Sequence, residues 1–317
     1  MKKFIKKVMT FALIFAVITV VIVTFDRMVL GNQYTGSYQA SLLDKKERYL
    51  SINEPKLILI GNSNLAFGMD SEKLQEAVGM PVVNMGLHGG LGNIFHENML
   101  KFGLNKGDIV VVCHTSYGDG DDVSEADLFL STLEWHYDLW SLAKPQDIPA
   151  MFSGIHQYSF TSLLSWVQGN KERTPKQNNC YSRSAFNEYG DVVVKPEANK
   201  VVFVKDSITI PEIKDSCIDR LNELNKTISE QGATMLVAAY PIAYCEYTPE
   251  PEKYDEFESQ LRSKLDCDVI SNFTDYFIPS ELFYNTKYHL SEEGTKLRTE
   301  LLINDIQNWK ASSDKTR

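Results

Sequence analysis

Lys56-Leu57-Ile58-Leu59-Ile60-Gly61-Asn62-Ser63-Asn64-Leu65-Ala66-Phe67-Gly68 decides the fold. Its first five residues are a short apolar run, closed by a glycine and a serine, which reads as a strand buried on both faces. Outward from it, Ser71 to Val78 is an amphipathic helix with Ser71 as N-cap, Pro81 to Met85 a strand, Asn93 to Phe102 a helix and Asp108 to Cys113 a strand. A βαβαβ order predicts a parallel sheet covered by helices, since parallel neighbours need crossovers.

The pattern resumes late in the chain. Ile213 to Gln231 places Cys217, Leu221, Leu224 and Ile228 on one helical face; Met235 to Ala239 reads as a strand, Tyr254 to Leu265 as a helix, and Val269-Ile270 as a last short strand. Ser291 caps a final helix through Trp309, with Glu292 and Glu293 favourably placed in its first turn. Between these halves, about 115–211 is too long for a loop and is expected as an insertion after the third strand, on the ligand-binding edge of the sheet. Its many aromatics, among them Trp135, Tyr158, Trp166 and Tyr181, suit the insertion's own core and, at its surface, stacking on sugar rings.

The N-terminus is of another kind. Val8 to Phe25 carries no charge over 18 residues, roughly 27 Å as a helix and close to the thickness of a bilayer core. No small-residue cleavage site follows, so residues 1–25 read as a cytoplasmic tip and an uncleaved transmembrane anchor. Lys2, Lys3, Lys6 and Lys7 precede the run and only Asp26 and Arg27 follow it, which puts the N-terminus in the cytoplasm and the main domain outside the cell membrane. Polar residues 26–55 are expected as a stalk or first helix, 56–310 as the α/β domain and 311–317 as a polar tail.

The net charge is -10, and without the four leading lysines the remainder carries -10 - 4 = -14. Such a surface argues against nucleic acid as a partner, because releasing counterions from a phosphate backbone takes a basic face. Cys113, Cys180, Cys217, Cys245 and Cys267 have no paired spacing, so no metal site or disulfide framework is indicated and at least one thiol is free. Tyr117-Gly118-Asp119-Gly120-Asp121-Asp122 lacks the rest of a calcium loop and reads as a solvated turn.

Three loops carry chemistry. Ser63 follows the first strand at its carboxyl end, where open α/β sheets bind ligands, and no Gly-Lys-Ser/Thr follows to make a phosphate loop. Asn84-Met85-Gly86-Leu87-His88-Gly89 ends the second strand, its glycines letting backbone amides approach a substrate; the spacing is not that of a dinucleotide fingerprint. Tyr284-Asn285-Thr286-Lys287-Tyr288-His289-Leu290-Ser291 precedes the last helix, which would hold His289 rigidly at the sheet edge within reach of Ser63.

In this order the three motifs resemble the SGNH (GDSL-like) hydrolase superfamily over about Lys56 to Trp309. They are similar, more narrowly, to its membrane-anchored cell-envelope branch, which works beside membrane-bound O-acyltransferases. Ser184-Ala185-Phe186-Asn187-Glu188-Tyr189-Gly190-Asp191 and Leu297-Arg298-Thr299 are similar to that branch too. The resemblance implies a three-layer sandwich with a flavodoxin-like sheet, and no cofactor. It implies an acyl-serine esterase or O-acyltransferase acting on acyl, chiefly acetyl, esters of envelope polysaccharide. Ser63 would be the nucleophile, His289 the base, and the amides of Ser63 and Gly89 the oxyanion donors.

Two departures stand out. The family's third block, Gly-x-Asn-Asp, is replaced by Cys113-His114-Thr115-Ser116, so Asn62, Asn64 or His114 is left to supply the missing side-chain donor. Asn285 stands where the closer branch has aspartate and Thr286 where the wider family has it; Asp275, Glu281 or a backbone carbonyl are the other groups that could orient His289. Both departures keep open a catalytically degenerate member that binds glycan or scaffolds a membrane O-acyltransferase.

Overall fold

The computed structural model describes residues 1–118, 126–170, 172–173, 179–195 and 201–316. After an N-terminal helix α1 (Lys2–Phe25), the chain alternates strands and helices in this order: α2 (Ser41–Ser51), β1 (Leu57–Gly61), α3 (Ser63–Ala66), α4 (Ser71–Val78), β2 (Val82–Asn84), α5 (Asn93–Asn98), β3 (Ile109–Cys113), α6 (Ala126–Leu133), α7 (Ile148–Val167), α8 (Asp215–Glu230), β4 (Thr234–Val237), β5 (Ile242–Tyr244), α9 (Pro251–Lys264), β6 (Asp268–Val269), β7 (Phe277–Pro279) and α10 (Glu292–Thr316).

Five strands form one parallel sheet in the order β2-β1-β3-β4-β6, and β5 pairs with β7 in a small parallel ribbon. Alternation along β1 sends Ile58 and Ile60 into one buried cluster, and Leu57 and Leu59 into a second, where Leu74 of α4 and Leu302 and Ile306 of α10 join them. The chain lays β2 on one side of β1 and β3 on the other, so its direction of travel reverses between the carboxyl ends of β1 and β3. Parallel sheets open a crevice at such a point.

Most predicted elements are present with their ends moved by up to three residues, though the last helix runs on to Thr316 through most of the expected polar tail 311–317, and three further differences have physical reasons. Ser71 does not cap α4: Asp70 accepts from the Lys73 amide, while the Ser71 amide and hydroxyl both donate to Asp191. The helix predicted to Phe102 tightens to a 3₁₀ turn over Met99–Phe102 before Gly103, whose φ of 115° ends it. Residues 26–55 are not a free stalk. Asp26–Leu30 continues α1 as a π turn, Gly31 breaks it at φ 68°, and Tyr38, Leu42 and Tyr49 are buried in the larger core cluster.

The predicted insertion contributes α6 and α7 and then returns to the strand ends, where the Val192 amide donates to the Ala66 carbonyl. Tyr117 is core, and the remainder of the acidic turn from Asp119 to Asp122 lies outside the described residues. Helix α1 is long and apolar enough to cross a membrane and buries none of its apolar window in the protein. All five cysteines are free thiols, three of them buried.

Candidate active site

Ser63 opens α3 immediately after β1, so its side chain stands at the carboxyl end of the sheet, beside the crevice between β1 and β3. Gly61 is required here by proximity rather than by an unusual turn: a Cβ on it would lie 2.8 Å from the Cys113 carbonyl oxygen of β3. Gly86 brings the second loop equally close, a Cβ there falling 2.6 Å from the Ala66 nitrogen. Asn84 fastens the two loops together, its Nδ2 donating to the Leu65 carbonyl and to Asp191.

The third loop is a tight reversal. Phe283 and Leu290 form an antiparallel bridge, and the Tyr284 amide donates to the His289 carbonyl at 2.8 Å. That geometry aims the imidazole back at α3: Ser63 Oγ lies 2.8 Å from His289 Nε2, and Asn285 Oδ1 lies 2.7 Å from His289 Nδ1. The ring stacks on Phe67 at 3.9 Å between centroids and 5° between planes, which fixes its plane. Asn285 Nδ2 donates to the Tyr181 hydroxyl at 2.9 Å, so its amide presents oxygen to the histidine; Nδ1 then carries the ring proton and Nε2 is the acceptor for the serine.

Burial pushes the His289 pKa down to about 3, with the ammonium of Lys195 and then His88 adding to the effect. Lys195 donates to the Phe67 carbonyl and to Thr295 Oγ1, and its own pKa is pushed down to about 8 by burial. At neutral pH the imidazole is therefore uncharged, the form that can accept a proton.

The expected oxyanion groups divide. The Ser63 amide, at the first turn of a helix, has no acceptor among the described residues, and the same holds for the Gly89 amide. Gly89 lies beside the serine loop, its Cβ position 3.6 Å from the Asn62 Cβ, and the Gly90 amide is taken by His88 Nδ1. Asn64 is not a free side-chain donor, and Asn62 has one of its two amide hydrogens committed. Asn62 Nδ2 donates to Thr115 Oγ1 at 2.7 Å while its Oδ1 caps α3 by accepting from the Asn64 amide. Asn64 is buried and turned away from the serine, donating to Asn62 Oδ1 and the Cys113 carbonyl and accepting from Arg298. His114 faces Glu97 at 2.9 Å, inside a buried group with Arg220. Asp275 bonds Asn272 instead of His289.

Sequence reasoning passed over Tyr181, Asp191 and Arg298 as site residues. Asp191 collects donors from Ser71, Asn84 and Asn187, and Arg298 from α10 grips both the carbonyl and the side chain of Asn64. The signal for the last two lay in the quoted Ser184-to-Asp191 and Leu297-Arg298-Thr299 phrases, whereas Tyr181 looked like any other aromatic of the insertion. A cavity of about 1130 Å³ borders Lys195 and Tyr284, and neither Ser63 nor His289 lines it. A scan against known protein families finds no matching family model, and a search of curated proteins finds no match.

Proposed function

We propose that the chain is a membrane-anchored serine ester hydrolase or O-acyltransferase of the SGNH type, working through an acyl-Ser63 intermediate. The observation that carries this reading is the Ser63–His289–Asn285 relay, with both hydrogen bonds under 3 Å, at the point where the strand order reverses. The strand order and the two apolar clusters support a three-layer, flavodoxin-like arrangement.

His289 Nε2 takes the hydroxyl proton as Ser63 Oγ attacks an ester carbonyl, and the tetrahedral oxyanion sits against the Ser63 and Gly89 amides. Losing one such donor costs about 3 kcal/mol of transition-state stabilisation. Collapse passes the proton from His289 to the leaving alkoxide and leaves the acyl group on Ser63. Water then makes the chain an esterase, and a sugar hydroxyl makes it a transferase. The four leading lysines favour a cytoplasmic N-terminus and an extracytoplasmic domain in the cell membrane, which points to acylated envelope polysaccharide as substrate and a membrane-bound O-acyltransferase as partner. No nucleic acid, metal or cofactor enters this reading.

One observation favours a second reading, a glycan-binding or scaffolding protein with a disabled site: the group on His289 Nδ1 is an amide and offers no charge to balance an imidazolium. A fluorophosphonate probe separates the two. Intact mass of the full chain in detergent should rise by one adduct, absent from Ser63→Ala; a folded wild type that stays unlabelled supports the scaffold.

A further inference from the structure

Helix α7 is built inside out for a helix in water. Its 20 residues, Ile148–Val167, include no Asp, Glu, Lys or Arg. It buries Met151, Tyr158, Ser159 and Ser162, so half of its buried side chains are serines, while Phe152, Phe160, Leu164 and Val167 are exposed on its outer side with His156 between them. A helix packed on a soluble core presents the opposite pattern. A second outer row, Ser153, Gln157 and Thr161, is polar and uncharged, so the outer surface is itself divided lengthwise.

The neighbour of that surface is α1. Phe15 meets His156 and Phe25 meets Trp166, ring centroids 6.4 and 5.8 Å apart. Ten residues of each helix separate the two contacts, so the helices run in the same direction and their facing turns lie at the same depth. Whatever medium surrounds residues 15–25 of α1 also borders residues 156–166 of α7. The polar groups of the seam, the Asp26 carboxylate and the Ser159 and Ser162 hydroxyls, are buried rather than turned to that medium.

We infer that α7 is seated in the apolar layer of the membrane beside α1, with its 152–167 row in lipid. The occupant of this face is the bilayer, because the exposed apolar row continues the surface of a helix apolar enough to span one, and carries no charge that would oppose insertion. The α/β domain is then held against the membrane over one face, and not only tethered to it.

The test uses the full chain in nanodiscs, with the fluorophore NBD on a cysteine introduced at Phe160 or Leu164, and the chain without an added cysteine as background. Ile18→Cys in α1 is the reference for lipid and Glu223→Cys in α8 the reference for water. Nitroxide-labelled phospholipids should quench residues 160 and 164 as strongly as residue 18, and residue 223 hardly at all. Quenching at 160 and 164 no greater than at 223 overturns the inference. Blue-shifted but unquenched emission there also overturns it, since a second copy of the chain would then cover the row. A residue 18 that is itself unquenched removes the anchor on which the inference rests, whatever happens at 160 and 164.

Discussion

Two histidines stand near the carboxyl edge of the sheet and are furnished in opposite ways. His114, directly after β3, has the carboxylate that a general base would want, since Glu97 faces its Nε2 and Arg220 braces Glu97 from behind. Among the described residues no hydroxyl is hydrogen-bonded to it. His289 has the hydroxyl and lacks the carboxylate, Asn285 taking that place. The difference separates two uses of one side chain: His114 closes a buried ion-paired cluster that holds α5 and α8 to the sheet, and His289 is a neutral ring held by stacking and two hydrogen bonds at a serine.

The sharpest way to break this comparison is to remove each ring. Ser63→Ala or His289→Ala should cut fluorophosphonate labelling and ester hydrolysis by at least about 10³-fold, as in other serine-histidine pairs. His114→Gln should leave the rate constant of labelling within about threefold; a loss as deep as that of His289→Ala would mean that the two roles are not separate.

Next in size is the missing charge. Asn285→Asp keeps an oxygen on Nδ1, lets the Tyr181 hydroxyl donate to the carboxylate, and adds compensation for the imidazolium. The reverse change in a serine protease costs about 10⁴ in turnover, so a gain of about 10²-fold in p-nitrophenyl ester hydrolysis is expected, and Asn285→Ala should lose about tenfold. If both variants match wild type, Asn285 does not orient the ring.

The structural histidine is tested through stability. Burial raises the Glu97 pKa, but the His114 hydrogen bond and charge together with Arg220 outweigh it and bring the group to about 2. Glu97→Gln removes the anion that joins His114 to Arg220 and should cost about 3 kcal/mol in denaturant unfolding, with the intrinsic labelling rate kept.

Acidity should act on the two regions differently. With His289 at about 3, kcat/KM should stay flat from pH 8 to about 5 and fall only below that; in Asn285→Asp the acid limb should move up toward pH 6. Stability should decline over a wider window. The unfolded chain protonates His289 and His96 near pH 6.5, the folded chain declines those protons until about 3, and the ionised Glu97 is lost only near 2. Unfolding free energy should therefore fall steadily as pH is lowered from 7 toward 3, and an unchanged denaturation midpoint between pH 7 and 5 would contradict both burials. The smallest effect belongs to Tyr181→Phe, which frees the Asn285 amide: kcat about threefold lower with KM and the pH profile unchanged.

The Ser63–His289 pairing was legible because each partner is a local event, a residue at a strand end and a residue before a helix, and a strand of unbroken Leu and Ile has one reading. Directions of side chains were not. Asn64 looks in sequence like a donor beside the nucleophile, and only Arg298, 234 residues away, turns it inward. Residues 26–55 were left between a stalk and a first helix because the buried stripe of α2, Leu42, Lys45 and Tyr49, contains a lysine whose ammonium donates to the Asn84 and Gly190 carbonyls, so the apolar spacing is interrupted by a side chain that is nonetheless interior. Tyr181 gave no signal because its role depends on a return of the chain from the insertion, which no periodicity encodes.

Arg298 and the Ser63 loop also set an order of events during synthesis. Ser63 leaves the ribosome early, while His289 follows 226 residues later and the arginine that clamps the loop later still. At roughly 5–20 residues per second, on the order of 10–45 s pass between the two ends of the site. Throughout that interval Ser63 has no imidazole beside it, and a chain released before His289 is made lacks the hydrogen-bonded pair altogether.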